Sequence, residues 1–160
     1  MIRLADCLPS YYRDAQWERL FNIHDHGCSL ITFYQKTKEY DTTVLIAQDQ
    51  WGYKFGGFCL EAWKCHYNKF FGNGQNMLFT FKDTDEPQVF HWQGGGEQHM
   101  FANEKSIGLG GSNTKGRFAF FLANDLLRGQ SVSTDSYQNE VLSKQEDFSC
   151  CQLEVWALID

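Results

Sequence analysis

Six cysteines, five histidines and a glycine-rich run are the residues of this 160-residue chain whose types could carry chemistry. Cys28 opens a predicted helix and Cys65 follows Lys64, the two settings that lower a thiol pKa and would suit attack on a peroxide. Cys150 and Cys151 are adjacent, but strand alternation points their sulfurs apart, which makes a poor dithiol. His24 and His26 share one side of an extended segment around Asp25, and Cys59, Cys65 and His66 form C-x5-C-H. Zinc sites space paired ligands by about two to four residues and need four of them, so neither group fits. The run Gly108 to Gly116 suggests a phosphate loop. Such a loop needs Gly-Lys-Ser/Thr and a following helix, whereas here Lys115 precedes Gly116 and Arg117–Leu122 reads as a strand. A tight turn or a close backbone approach is the reading that remains. There is no Gly-x-Ser-x-Gly elbow for a serine nucleophile. Asp83, Asp85, Glu86, Glu146 and Asp147 read as solvated loop charges. Glu154 lies inside a strand, where a carboxylate needs exposure or hydrogen bonds; a bond to a glycine loop is the sharper expectation. No catalytic, cofactor or metal site emerges from these patterns.

Lys plus Arg number 14 against 20 Asp plus Glu, a net charge of −6 that argues against a nucleic-acid footprint. Aromatic residues make up 16% of the chain, enough to fill a core. The length suits one domain over 1–160 with a short lead-in at 1–8. Met1–Asp14 has no apolar signal core, and no apolar run nears the roughly 20 residues of a membrane helix, so a cytoplasmic protein with reduced thiols and no direct membrane insertion is expected.

Glycines at 52–57, 72–74, 94–96 and 108–116 punctuate short apolar stretches, the mark of a turn-rich β domain. Strands are predicted at Thr43–Gln48, Lys54–Leu60, Met77–Phe81, Gln88–Trp92, Arg117–Leu122 and Phe148–Ile159. In the last, Cys151, Leu153, Val155, Ala157 and Ile159 share one face. Cys28–Lys38 has helical spacing, with Leu30, Phe33 and Tyr34 on one stripe. Asp14–Phe21 reads as a short helix, or Trp17–Ile23 as a strand, and Ile23–Gly27 as a turn. The fold class expected is α+β, mostly β, with two packed antiparallel sheets.

Several motifs then fall in a specific order. They are Leu8-Pro9 with Trp17 and Leu20; His26-Gly27-Cys28-Ser29-Leu30 with Phe33-Tyr34; Phe55-Gly56-Gly57-Phe58 with Glu61-Ala62-Trp63; and Phe71-Gly72-Asn73-Gly74 with Leu78-Phe79. Phe90-His91-Trp92, Ile107 to Gly111, Phe118 to Leu122, Gly129-Gln130-Ser131 and Leu153-Glu154-Val155-Trp156 follow. In this order they resemble the TLDc domain, found at the C-terminus of oxidation-resistance proteins and in nuclear-receptor-coactivator and TBC relatives. Gln75 stands where many members carry Glu, and Thr134 where many carry Cys. The resemblance implies a sandwich of two antiparallel sheets flanked by a few helices, with no established catalytic activity. It also implies a role in oxidative-stress resistance and a protein partner, the vacuolar-type proton pump (V-ATPase), met at its peripheral stalk and catalytic head. Recruitment to endolysosomal or vacuolar membranes would come through that partner. The alternatives are a cysteine-based antioxidant enzyme and a trafficking scaffold that binds small-GTPase machinery. Partner contacts are expected on Gly110, Gly111, Lys115, Arg117 and Gln130, on the loop from Gln130 to Ser143, and on Glu154. Trp63, Trp92 and Trp156 are expected in the core.

Overall fold

The computed structural model describes residues 3–66, 69–82, 84–94, 97–111 and 117–159; Lys115, Gly116 and Asp83 lie outside them. A helical turn α1 (Leu4–Cys7) and a 3-10 turn (Ser10–Tyr12) lead into β1 (Gln16–Asn22), followed by α2 (Ile23–His26) and α3 (Leu30–Thr37). The remaining strands are β2 (Thr43–Asp49), β3 (Lys54–Cys59), β4 (Phe70–Phe71), β5 (Met77–Thr80), β6 (Gln88–His91), β7 (Met100–Ala102), β8 (Ser106–Gly111), β9 (Phe118–Ala123), β10 (Arg128–Gln130) and β11 (Asp147–Ile159).

The ladders are antiparallel and form one continuous 11-stranded sheet. The long β11 is what joins its two halves. Residues Asp147, Phe148 and Ser149 pair with β10, whereas Cys150 to Ala157 pair with β2 and Glu154 to Ile159 with β1. One half is therefore β1-β11-β2-β3-β5-β6 and the other β11-β10-β9-β8-β7-β4. Their inner faces meet: Phe55 of β3 packs edge-on against Phe120 of β9 and Phe148 of β11, with ring centroids 5.9 and 5.0 Å apart. Gly57 in β3 lies directly beneath Leu109 of β8, whose Cδ1 would stand 2.6 Å from any Cβ there. This is the expected two-sheet packing, drawn from one sheet that folds over on itself.

The first half is covered on both faces. Leu45 and Ala47 point into the shared core, while Val44 and Ile46 join Phe58, Met77 and Phe79 in a second apolar cluster under Leu4, Leu8 and Tyr12. That double burial explains why Thr43–Asp49 is almost continuously apolar rather than alternating. The expected short lead-in is thus part of the fold: Leu8 is buried, and the Tyr12 ring meets Phe58 at 5.2 Å.

Three sequence expectations are corrected, and one left open is resolved. Of the two readings at 14–23 the strand is the one formed, over Gln16–Asn22; Leu20 and Phe21 face the core, and the strand pairs along β11. Ile23–His26 is a helical turn capped by the Asn22 side chain on the His24 amide and closed by Gly27 at φ +89°. In β11 the register shifts between Cys150 and Gln152, so Cys150 is buried and Cys151, expected on the core face, is exposed. Trp156 is only half-buried on the outer face, its ring 6.4 Å from Trp17, whereas Trp63 is wholly buried.

Candidate functional site

Gly108 to Gly111 prove to be strand and not turn, because all four residues belong to β8. The ladder with β9 keeps one register from Ser106↔Ala123 through Leu109↔Phe120 to Gly111↔Phe118, with Gly110 between the last two pairs. Its φ of +63° is left-handed, a region that favours glycine. A Cβ on Gly110 would point inward, toward Ala119 and Tyr137, so this residue shapes the strand and offers no surface contact.

An aromatic row lies beside these glycines. Across the outer face of the second half, directly paired residues run Phe70, Phe101, Gly108, Phe121, Gln130, Asp147. The gap above Gly108 is filled by the Phe118 ring, whose Cδ1 would lie 2.8 Å from a Cβ at that position. Phe70 sits over Gly111 in the same way, at 2.7 Å. The four rings touch: Phe70–Phe101 at 5.3 Å, Phe101–Phe118 at 5.3 Å, and Phe118–Phe121 stacked at 5.7 Å. All four remain partly exposed. Unlike the outer face of the first half, this one has no cover from the α1 segment.

Polar groups border the row on its β10–β11 side. Arg117, just before Phe118, is exposed and reaches Glu146 at 3.5 Å. Gln130 donates from Nε2 to Asp147 Oδ1 at 3.0 Å. Arg128 pairs with Asp125 at 2.8 Å. Burial pushes the Asp125 carboxyl up, but the Leu127 and Arg128 amides and the Arg128 guanidinium together hold it below the usual carboxylate value. Arg117 and Gln130 are thus brought together with Gly111 around one surface. Lys115 falls outside the described residues, and Glu154 belongs to the other half of the sheet.

Glu154 does not bond to a glycine loop. Its two oxygens accept from Asn22 Nδ2 at 3.1 Å and Trp156 Nε1 at 2.8 Å. The loop after Gln130 is also less open than expected. Ser131, Thr134, Ser136, Asn139 and Ser143 are buried. The Thr134 hydroxyl donates to Asn139 Oδ1 at 2.6 Å. Ser143 and the Lys144 amide close onto buried Asp49 at the end of β2.

The residues weighed for chemistry mostly have structural partners. Asn22 N donates to His26 Nδ1 at 3.1 Å, the His26 ring stacks on Phe21, and His24 Nε2 contacts the Cys151 carbonyl. Asp25 is held by Arg19. Cys28 precedes the helix rather than opening it, since Ser29 is the cap of α3. Burial pushes the Cys59 thiol up, and burial followed by neighbouring Cys151 pushes Cys150 up to about 12. Among the described residues, no group of three His, Cys, Asp or Glu side chains could hold a metal ion. No helix among them is long and apolar enough to cross a membrane.

The four phenylalanines are what sequence reasoning missed. Phe118–Leu122 is near-continuously apolar, and nothing local in it shows that Phe118 and Phe121 stay partly exposed while Ala119, Phe120 and Leu122 are buried.

Known proteins align over nearly the whole chain. Nuclear receptor coactivator 7 of Homo sapiens is 34% identical over 156 residues, covering 97% of this chain and 16% of that protein. Oxidation resistance protein 1 is 34% identical over 158 residues in Bos taurus and 33% over 156 in Xenopus tropicalis, covering 98% and 97% of this chain. The chain thus spans about a sixth of the length of these relatives. With the TLDc domain model matching residues 1–159 and the motifs standing in that order on this folded sheet, the chain belongs to the TLDc domain family.

Proposed function

We propose that this domain is a non-enzymatic interaction module that contributes to oxidative-stress resistance by binding and regulating the V-ATPase. The observation that carries the interaction reading is the open row of Phe70, Phe101, Phe118 and Phe121, bordered by Arg117 and Gln130. Contiguous aromatic rings on a sheet face, with charged groups at the border, have the composition of an interface centre with a polar rim. The names of the relatives support the stress-resistance part, and the family resemblance supports the choice of pump. Recruitment to an endolysosomal membrane would then follow from the partner.

The test uses purified V-ATPase and the purified domain, with and without nucleotide, read by co-sedimentation. Wild type is expected to co-sediment with the pump. Phe121→Asp, which places a charge in the centre of the row, is expected to release it while the thermal midpoint stays within a few degrees of wild type. No co-sedimentation by folded wild type in either condition overturns the pump as partner. Undiminished binding by folded Phe121→Asp overturns the face.

A further inference from the structure

The turn that joins β4 to β5 carries a motif that the phenylalanine row leaves unused. Asn73 is the one asparagine of the chain that precedes a glycine; every other asparagine precedes a residue with a Cβ. Asn73 and Gln75 are exposed, and Gly74 between them is half-buried. The main-chain carbonyl of Asn73 accepts from Asn76 N at 3.0 Å, and its side-chain Oδ1 accepts from Gln75 N at 2.9 Å. Gly74 N donates to no group among the described residues.

We propose that Asn73–Gly74 is a self-modifying site, at which the Gly74 amide converts Asn73 to isoaspartate and aspartate. Gly74 N gives up its proton to solvent hydroxide and forms a bond to Asn73 Cγ. The tetrahedral centre then expels the side-chain nitrogen, which takes a proton from solvent and leaves as ammonia, and a five-membered succinimide remains. Water adds to one of the two imide carbonyls. Cleavage of the bond from Gly74 N to Cγ yields aspartate; cleavage of its bond to the main-chain carbonyl carbon of Asn73 yields isoaspartate, with the chain now running through Cβ and Cγ. The balance is one water consumed and one ammonia released, with no oxidant or reductant.

The fold sets this reaction in three ways. The bond from Gln75 N to Oδ1 folds the Asn73 carboxamide back over the Gly74 peptide unit, which holds the reacting groups together. The same N–H donates to the oxygen on which negative charge gathers during the attack. Packing, finally, requires the glycine: a Cβ at position 74 would overlap the Trp92 ring, so no larger side chain can shield the amide. Asn22, Asn76 and Asn139, by contrast, are buried. The product alters the turn. Isoaspartate adds one carbon to the main chain and makes the acceptor of Asn76 N part of a free carboxylate. That charge arises next to Glu61, whose Oε2 accepts from Gly72 N at 2.7 Å. The Trp92 ring against Gly74, and the bond from Leu60 N to Asn76 Oδ1 at 3.1 Å, resist the lengthening. The modified domain is therefore less stable and presents an exposed isoaspartyl carboxylate to a carboxyl-methylating enzyme.

The inference does not depend on the pump reading or on the phenylalanine row. Its test is incubation of the purified folded domain near pH 6 and near pH 8, with a parallel sample unfolded in urea, followed by peptide mapping in a mass spectrometer. Asn73 is expected to convert before any other asparagine of the folded domain, faster at the higher pH, and at least as fast as in the unfolded chain. Isoaspartate should exceed aspartate among the products. The aged domain should accept labelled methyl groups from an isoaspartate carboxyl methyltransferase, and its modified fraction should melt at a lower temperature than fresh protein. Asn73→Ser keeps an acceptor at the head of the turn and cannot form the imide, so it should gain no methyl label on ageing. The inference is overturned if Asn73 of the folded domain is intact when the unfolded chain has converted half of its Asn73. It is equally overturned if another asparagine of the folded domain converts first, if the rate is the same at both pH values, or if aged Asn73→Ser takes up as much label as wild type.

Discussion

The side-chain amide of Asn22 donates to the carboxylate of Glu154 at 3.1 Å, across 132 residues of chain. Asn22 is the last residue of β1 and pairs directly with Glu154 in the ladder. Its own Oδ1 meanwhile accepts from the His24 amide and so caps α2. One buried amide thus fixes where the first strand ends, where the helical turn begins, and how the carboxylate in β11 is held. Trp156 Nε1 completes the arrangement at 2.8 Å.

Removing that carboxylate leaves two donors without their acceptor. Hydrogen bonds to a charged group contribute about 1.5–3 kcal/mol, and an orphaned buried partner costs about 1–3 kcal/mol. Glu154→Ala is expected to destabilise the domain by about 2 kcal/mol in a urea melt. Glu154→Gln, which keeps one acceptor oxygen, should lose roughly half as much. Equal stability of wild type and Glu154→Ala would show that the Asn22 and Trp156 bonds contribute nothing net.

The tryptophans divide by burial. Trp63 is wholly buried among Phe33 and Phe71, with ring centroids 5.6 and 6.1 Å away. Trp63→Ala is expected to cost about 3–5 kcal/mol, enough to unfold a marginal domain. Trp156→Ala should cost less, about 1–2 kcal/mol, since the residue is half-exposed and its losses are the Trp17 contact and the Glu154 bond. Thermal melts of the two variants check the order; Trp156→Ala as the more damaging change would contradict it.

Much of the fold was legible because its signals are local. Thr43–Asp49, Lys54–Cys59, Met77–Thr80 and Gln88–His91 are short apolar runs between turn residues, and Leu30–Thr37 carries a helical stripe behind a Ser cap. The two-residue β4 and the three-residue β7 and β10 were not legible, because runs that short carry no period. Trp156 was misplaced for a related reason. Alternation assigns residues to two faces of a strand, but it does not say that the face shared by Trp156 and Glu154 lies beyond the α1 cover. The candidate surface was half legible. Glycines at 108 and 111 marked a close approach, but the rings that approach them come from β4 and β9, a relationship only the tertiary fold creates.

Acid should weaken the domain through His99. This side chain is 3% exposed, shares a 2.6 Å hydrogen bond with the Tyr137 hydroxyl, and lies under Trp92. Burial lowers its pKa from the ordinary 6.5, with Glu97 opposing the shift only in part. The folded state therefore resists the proton that the unfolded chain accepts. Stability from this group is fully present above about pH 6.5 and is lost as pH falls below that value toward the folded pKa. Urea midpoints measured from pH 7.5 to 5 should fall for wild type. They should be flatter for His99→Gln, which keeps a partner for Tyr137. Identical slopes would remove His99 as the cause.

The thiols offer the check that separates the interaction reading from an antioxidant enzyme. Cys28, Cys65 and Cys151 are exposed, Cys7 is half-buried, and Cys59 and Cys150 are buried with raised pKa values, Cys150 to about 12. A thiolate does the attacking, so burial and a raised pKa both slow a buried cysteine. In native protein at pH 8, a chromogenic disulfide reagent should consume Cys28, Cys65 and Cys151 quickly and Cys7 slowly, with Cys59 and Cys150 reacting only in denaturant. Solvent access alone is enough to produce that order, and it does not require catalysis. A peroxidase would need one thiol to react with hydrogen peroxide orders of magnitude faster than a free thiol. Peroxide consumption by wild type is therefore expected to match a variant with Cys28, Cys65 and Cys151 changed to Ser. A rate that collapses on changing one of them would assign the protection to chemistry at that sulfur and displace the docking face as its source.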